Sequence, residues 1–152
     1  MRIGFDLDKV LCDGNITILR MIDQMSPKKR VAVEEWYYRD RKPLLIPEDF
    51  LADNDKYIVI TGRSEKIRFE TEWWIQKYCP NCVQLIMVDL GPAYDCTNGQ
   101  VKEWSQEQAR RKAEIINKAK LDVYFEDNGE CVSELRRFCP NTKIIKYGGN
   151  MY

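Results

Sequence analysis

The chain has 152 residues, a length that suits one domain around one core. Lysine plus arginine number 24 and aspartate plus glutamate 24, so no net field draws the protein to nucleic acid or to a membrane surface. Six cysteines and no histidine exclude serine–histidine and cysteine–histidine catalysis, and with them histidine-containing zinc sites. No apolar run approaches membrane-spanning length, and the first segment carries two acids, unlike a signal peptide. A soluble, cytoplasmic protein is the expectation.

The chain opens on RIGFDLDKVL, residues 2–11. Residues 2–6 read as a buried strand that carries Asp6, with Asp8 two residues on. In an extended chain the two carboxylates point to the same side. Such a pair repels and is costly to desolvate, so something must offset it. A connection of about forty residues comes next, 12–50, where a simple crossover needs far fewer. Within it 15–25 reads as helical and 31–40 as a helix or a short hairpin. This stretch is read as a small insertion over the strand ends and not a second domain. Residues 57–61, YIVIT, form the second strand. The helix 64–78 is capped by Ser64 and places Ile67, Thr71, Trp74 and Tyr78 on one face. A third strand spans 83–88. The helix 105–119 begins at a Ser105 to Gln108 capping box and aligns Ala109, Ala113, Ile116 and Ala119. The fourth strand is 122–126. The helix 130–138 sets Val132 beside Leu135 and stops at Cys139-Pro140, and 143–147 is a fifth strand.

Short apolar strands alternating with helices predict an α/β fold, a parallel sheet covered on both faces by right-handed crossovers, in a single domain over 1–152. Only Cys79-Pro80-Asn81-Cys82 has the spacing of a metal-ligand pair. No second pair matches it, since Cys131 and Cys139 are too far apart in sequence. A helix-to-strand turn flanked by small apolar thiols is the plainer reading.

The polar signals fall at strand ends. Asp6 and Asp8 close the first strand. Thr61 closes the second, before Gly62 and Arg63, and Glu126 with Asp127 closes the fourth. Ligands of open α/β sheets bind outside the carboxyl ends of the strands. If strands two and four flank strand one, these groups converge. Gathered carboxylates require a hard cation with oxygen ligands, and Mg²⁺ fits best.

FDLDKV, YIVITGR and VYFEDN, taken in that order, resemble motifs I, II and IV of the haloacid dehalogenase-like phosphohydrolases. The resemblance implies a Rossmann-like sheet ordered 5-4-1-2-3 with a small cap inserted after the first strand. It implies that Asp6 is the nucleophile and Asp8 the general acid, with a pKa raised by its carboxylate neighbours. Mg²⁺ would be held by Asp6, the Asp8 backbone carbonyl, Asp127 and Glu126. Thr61 and a lysine would contact the phosphoryl group. Lys112 matches the family placement, and Lys102 and Lys118 are the alternatives.

The insertion is short for a cap that closes over a small molecule. An open site and a large substrate follow, or a cap supplied by a partner chain. The run TGRSEKIRFETEWWIQKY is similar to the phosphatase domain of polynucleotide kinases, which remove 3′-phosphates, and 5′-nucleotidases are a related resemblance. Gly62 and Arg63, with Arg68, Arg39, Arg41 and Lys42, would then hold phosphates while Trp36 and Tyr37 stack a base. The expected activity is Mg²⁺-dependent hydrolysis of a phosphomonoester, on a nucleotide or a nucleic-acid 3′-phosphate end. Another small phosphorylated metabolite, or a binding module that keeps the fold without the chemistry, is the alternative. The oligomeric state is left open.

Overall fold

The computed structural model describes residues 1–14, 16–91 and 101–148. In chain order the elements are β1 (Ile3–Phe5), α1 (Ile16–Asp23), α2 (Pro27–Arg39), β2 (Tyr57–Thr61), α3 (Arg68–Tyr78), β3 (Cys82–Met87), α4 (Val101–Ala119), β4 (Val123–Glu126), α5 (Gly129–Phe138) and β5 (Lys143–Lys146). The sheet is five-stranded with the order β3-β2-β1-β4-β5, the predicted order read from the other edge. Every pairing between strands of this sheet is parallel.

Strand parity divides the core. Ile3, Phe5, Tyr57 and Val59 point to one face and pack with Trp74 and Ile75 of α3. Ile58, Ile60 and Tyr124 point to the other and pack with Ala109, Ala113 and Ile116 of α4 and with Val132 and Leu135 of α5. The apolar stripes expected on these helices are thus the buried ones. Gly4 has no room for a side chain, because a Cβ there would lie 2.5 Å from Leu121 Cδ1 and 2.9 Å from the Tyr124 ring. That close approach lets α4 and β4 settle against the centre of the sheet.

Several local expectations shift. Ser64 does cap, accepting from the Lys66 backbone N–H, but the first turn is 3-10 and α3 proper begins at Arg68. Residues 31–40 are helical, within α2. The proposed box at Ser105 and Gln108 does not cap anything, since α4 already runs from Val101. Both side chains are buried instead. Asn128 caps α5, accepting from the Cys131 N–H at 3.1 Å, so Asp127-Asn128-Gly129 opens a helix and is not a free turn.

Cys79 ends α3 and its carbonyl accepts from the Cys82 N–H at 3.0 Å, the turn expected there. Cys12, Cys79, Cys82, Cys131 and Cys139 are all free thiols, and Cys96 lies outside the described residues. Among the described residues no helix is long and apolar enough to cross a membrane.

Candidate functional site

Register builds the site. Phe5 pairs with Phe125 of β4 and with Val59 of β2, so the next residues of each chain segment emerge together at the carboxyl ends of three adjacent strands. The Asp6 N–H donates to the Phe125 carbonyl at 2.8 Å, which sets Asp6 beside Glu126. Both share the parity of Gly4 and Tyr124, the α4 side of the sheet. Lys112 reaches them from that helix, its Nζ 3.0 Å from Asp6 Oδ1 and 2.7 Å from Glu126 Oε2. The lysine is fully buried. Lys102 and Lys118, the two alternatives, are both exposed.

Asp6, Glu126 and Asp127 each offer an oxygen, and the three oxygens lie within 4.8 Å of one another. Burial is the main cause that pushes Asp6 up to about 8, reinforced by Glu126 and opposed by Lys112. Burial, then Asp6, pushes Asp127 up to about 6. Lys112 is held well above its ordinary range because Asp6 and Glu126 outweigh the cost of burying it. Two ammonium groups, Lys112 at Asp6 and Glu126 and Lys9 acting on Asp127 and Asp6, face the three acids. Three buried carboxyl groups whose oxygens lie this close could hold a metal ion, and an all-oxygen set of this kind suits a hard divalent cation.

Asp8 is not among the three residues whose oxygens gather, although its charge helps to raise Asp6. The expectation of an extended chain through Asp8 does not hold, because β1 ends at Phe5. The chain then coils into a tight turn in which the N–H groups of Val10, Leu11 and Cys12 all point to the Leu7 carbonyl, with Lys9 in the left-handed region at φ 65°. Period-two alternation applies only while the chain stays extended. Asp8 meets Arg63 instead, as a fork: Nε to Oδ2 at 2.9 Å and Nη2 to Oδ1 at 2.7 Å. Burial works to raise the Asp8 pKa, but the Arg63 charge and hydrogen bonds together hold it below its ordinary value. The raised pKa expected from carboxylate neighbours is therefore reversed.

Arg63 is spoken for on every side. Its Nη1 donates to Thr71 Oγ1 at 3.2 Å, its Nη2 to Cys12 Sγ at 3.4 Å, and its guanidinium lies 4.7 Å from the Tyr38 ring centroid. It is buried, and so is not positioned as a surface contact for a substrate phosphate. Arg41 is likewise buried, stacked 3.5 Å from the Tyr37 ring centroid, with its Nε donating to the Tyr37 carbonyl at 2.7 Å. Thr61 is buried at the end of β2, its Oγ1 accepting from the Arg63 N–H at 3.3 Å.

Trp36 and Tyr37 separate. Neighbours on a helix point about 100° apart, so one of the two must turn inward when the helix packs. Trp36 is 53% exposed and Tyr37 only 1%. Tyr37 is thus a core residue and cannot stack a base. Sequence reasoning grouped Tyr38 with Trp36 and Tyr37 but gave it no role of its own; its ring lies against Arg63. It also read Gln108 only as a cap partner, although Gln108 stands four residues before Lys112 and so on the same helix face.

The sequence matches no family model and no curated protein. In fold it is similar to a chain in the structure of the Pnkp1/Rnl/Hen1 RNA repair complex, with a TM-score of 0.52 and 19% identity. The match covers 99% of this chain and 43% of that one, so the present chain spans less than half of its neighbour's length. The class defined by fold and site is an α/β protein with a parallel sheet and a buried acidic cluster at the carboxyl ends of its central strands.

Proposed function

We propose that the protein is a Mg²⁺-dependent phosphomonoesterase of the haloacid dehalogenase type, acting through an aspartyl-phosphate on a nucleic-acid 3′-phosphate end or a nucleotide. The observation that carries this reading is the meeting of Asp6, Lys112, Glu126 and Asp127 beside Thr61 at one end of the sheet. Asp6, Glu126 and Asp127 would hold Mg²⁺, which when bound supplies the positive charge that brings an anionic phosphate up to an anionic nucleophile.

The chain's own residues divide the remaining work. An Asp6 carboxylate oxygen forms a bond to phosphorus as the ester P–O bond breaks. Lys112, 3.0 Å from Asp6, orients that oxygen and favours its ionised form against the burial that raises its pKa. The Thr61 hydroxyl donates to a phosphoryl oxygen. Asp8 gives a proton to the leaving oxygen, then takes one from the water that hydrolyses the aspartyl-phosphate. Arg63 favours the second of these roles, because its fork stabilises Asp8 as a carboxylate.

A nucleic-acid substrate is favoured over a small metabolite by two features. The neighbour in fold belongs to an RNA repair complex. Exposed rings are also carried by α2 and α3: Trp36, with Phe69 under Arg39 and Trp73 under Lys77. Base stacking and phosphate pairing both call for such groups.

A second reading, a binding module without turnover, is favoured by the Arg63 grip on Asp8. A screen for phosphate release separates the two. It would cover p-nitrophenyl phosphate, mononucleotides, sugar phosphates, and 3′- and 5′-phosphorylated oligonucleotides, each with Mg²⁺. Release that disappears in EDTA and in Asp6→Asn is the expected result. Absence of release from every class would overturn the hydrolase reading.

A further inference from the structure

Gln108 occupies an unusual place. It is 4% exposed, and its Nε2 has no hydrogen-bond partner. Nearly all buried amide donors in folded proteins are satisfied, so an orphaned one needs a reason. The amide lies directly against Gly62: a Cβ on that residue would sit 1.6 Å from Nε2 and 2.7 Å from the amide carbon. Any side chain at position 62 would displace it. The absence of a side chain there therefore makes room for this amide.

The surroundings indicate what the donor serves. Ser105, Gln108 and Lys112 form one stripe of α4, spaced at i, i+3 and i+7. Each meets the end of a different strand. Ser105 Oγ accepts from Asn128 Nδ2 at 3.2 Å, after β4. Lys112 reaches Asp6, after β1. Gln108 reaches Gly62, directly after Thr61 at the end of β2. The carboxylates of Asp6 and Glu126 are engaged by Lys112, and among the described residues none accepts from the Gln108 amide. Gln108 thus carries an unpartnered N–H to Gly62, on the same helix stripe that carries the Lys112 ammonium to Asp6, and an anion with several acceptor oxygens would answer that donor.

We propose that Gln108 is a catalytic residue whose side-chain amide donates a hydrogen bond to a non-bridging oxygen of the phosphoryl group transferred to Asp6. The assignment rests on the phosphomonoesterase reading above. It adds a donor from the helix face to those supplied by the strand ends, and it accounts for glycine at position 62.

Gln108→Met tests it, because methionine fills nearly the same volume but cannot donate. Inorganic phosphate binding in the presence of Mg²⁺, p-nitrophenyl phosphate turnover and thermal melting are measured on the full chain. Turnover is expected to fall about 10²-fold, the usual effect of losing one oxyanion donor. Phosphate affinity should fall with it, while the melting temperature holds or rises, since an unpartnered buried amide has been replaced by an apolar group. Gln108→Glu keeps the shape and sets a negative charge against the phosphoryl oxygen, so it should lose at least as much. Turnover and phosphate affinity within twofold of wild type in Gln108→Met would overturn the assignment while leaving the hydrolase reading standing. So would a loss of turnover matched by a loss of melting temperature in both variants, the signature of a packing role. Failure of the wild-type protein to bind phosphate with Mg²⁺ would remove both the assignment and the reading beneath it.

Discussion

Replacing Lys112 with methionine tests the electrostatics of the centre most directly. The side chain is fully buried, and its ammonium lies 3.0 Å from Asp6 and 2.7 Å from Glu126. Methionine preserves most of the length of the side chain and its apolar packing on α4, so the change is chiefly one of charge. Removing one partner of a buried ion pair costs about 3–5 kcal/mol, because the charge left behind is neither solvated nor paired. Here two carboxylates are left behind. Asp6 can escape part of the cost by taking up a proton, since its pKa is already pushed up to about 8. The lower end, about 3 kcal/mol, is therefore expected near neutral pH. For a domain of this size that corresponds to a fall in melting temperature of roughly 6–12 °C. Added Mg²⁺ should recover more stability in Lys112→Met than in wild type, because the variant site carries one more negative charge. Thermal melts by circular dichroism in EDTA and in Mg²⁺ read both effects. Lys102→Met and Lys118→Met, on the same helix but outside the buried cluster, should melt within a degree or two of wild type. A Lys112→Met protein as stable as these controls would refute the coupling of Lys112 to the acidic cluster.

Stability without metal should fall as pH rises from about 5 to about 8. The folded state keeps a proton on Asp6 up to about 8 and on Asp127 up to about 6, whereas the ordinary carboxyl value is 3.8, so folding takes up protons in this window. Mg²⁺ binds the ionised form and should flatten the slope; equal slopes with and without it, in melts across pH, would contradict the cation site. Asp8→Asn should leave Mg²⁺ binding intact while slowing alkyl phosphomonoesters about 10²–10⁴-fold, and p-nitrophenyl phosphate less, because that leaving group needs little protonation. It should also lower the melting temperature, since buried Arg63 loses its fork. Tyr37→Ala should cost about 3–5 kcal/mol and affect all substrates alike, as expected for a buried ring. Trp36→Ala should leave the melting temperature unchanged and weaken only an oligonucleotide, by about 1–3 kcal/mol, read from KM.

The strands of this protein were legible because burial on both faces demands near-continuous apolar runs, and IGF, YIVIT and VYFE offer few alternatives. The strand order was implied by the family resemblance and not by the strands alone; with β2 and β4 flanking β1, Asp6, Glu126 and Asp127 fall together. Lys112 was legible in part. Its position before β4 pointed to it, but the choice over Lys102 and Lys118 required knowing which face of α4 meets the sheet. The segments beyond the strand ends were not legible. The coil after Phe5 depends on backbone hydrogen bonds to a single carbonyl, that of Leu7, and Asp8 within it pairs with Arg63. Arg63, read from sequence as a contact for substrate, finds Asp8 across 55 residues of chain. Packing of α2 against its neighbours decides that Tyr37 is inside and Trp36 outside, although adjacent aromatic residues look equivalent in the sequence. Backbone periodicity and apolar burial act over a few residues and leave a pattern in the sequence. Side-chain partners such as Asp8 and Arg63, or Gln108 and Gly62, are chosen only when distant elements are brought within a few ångströms.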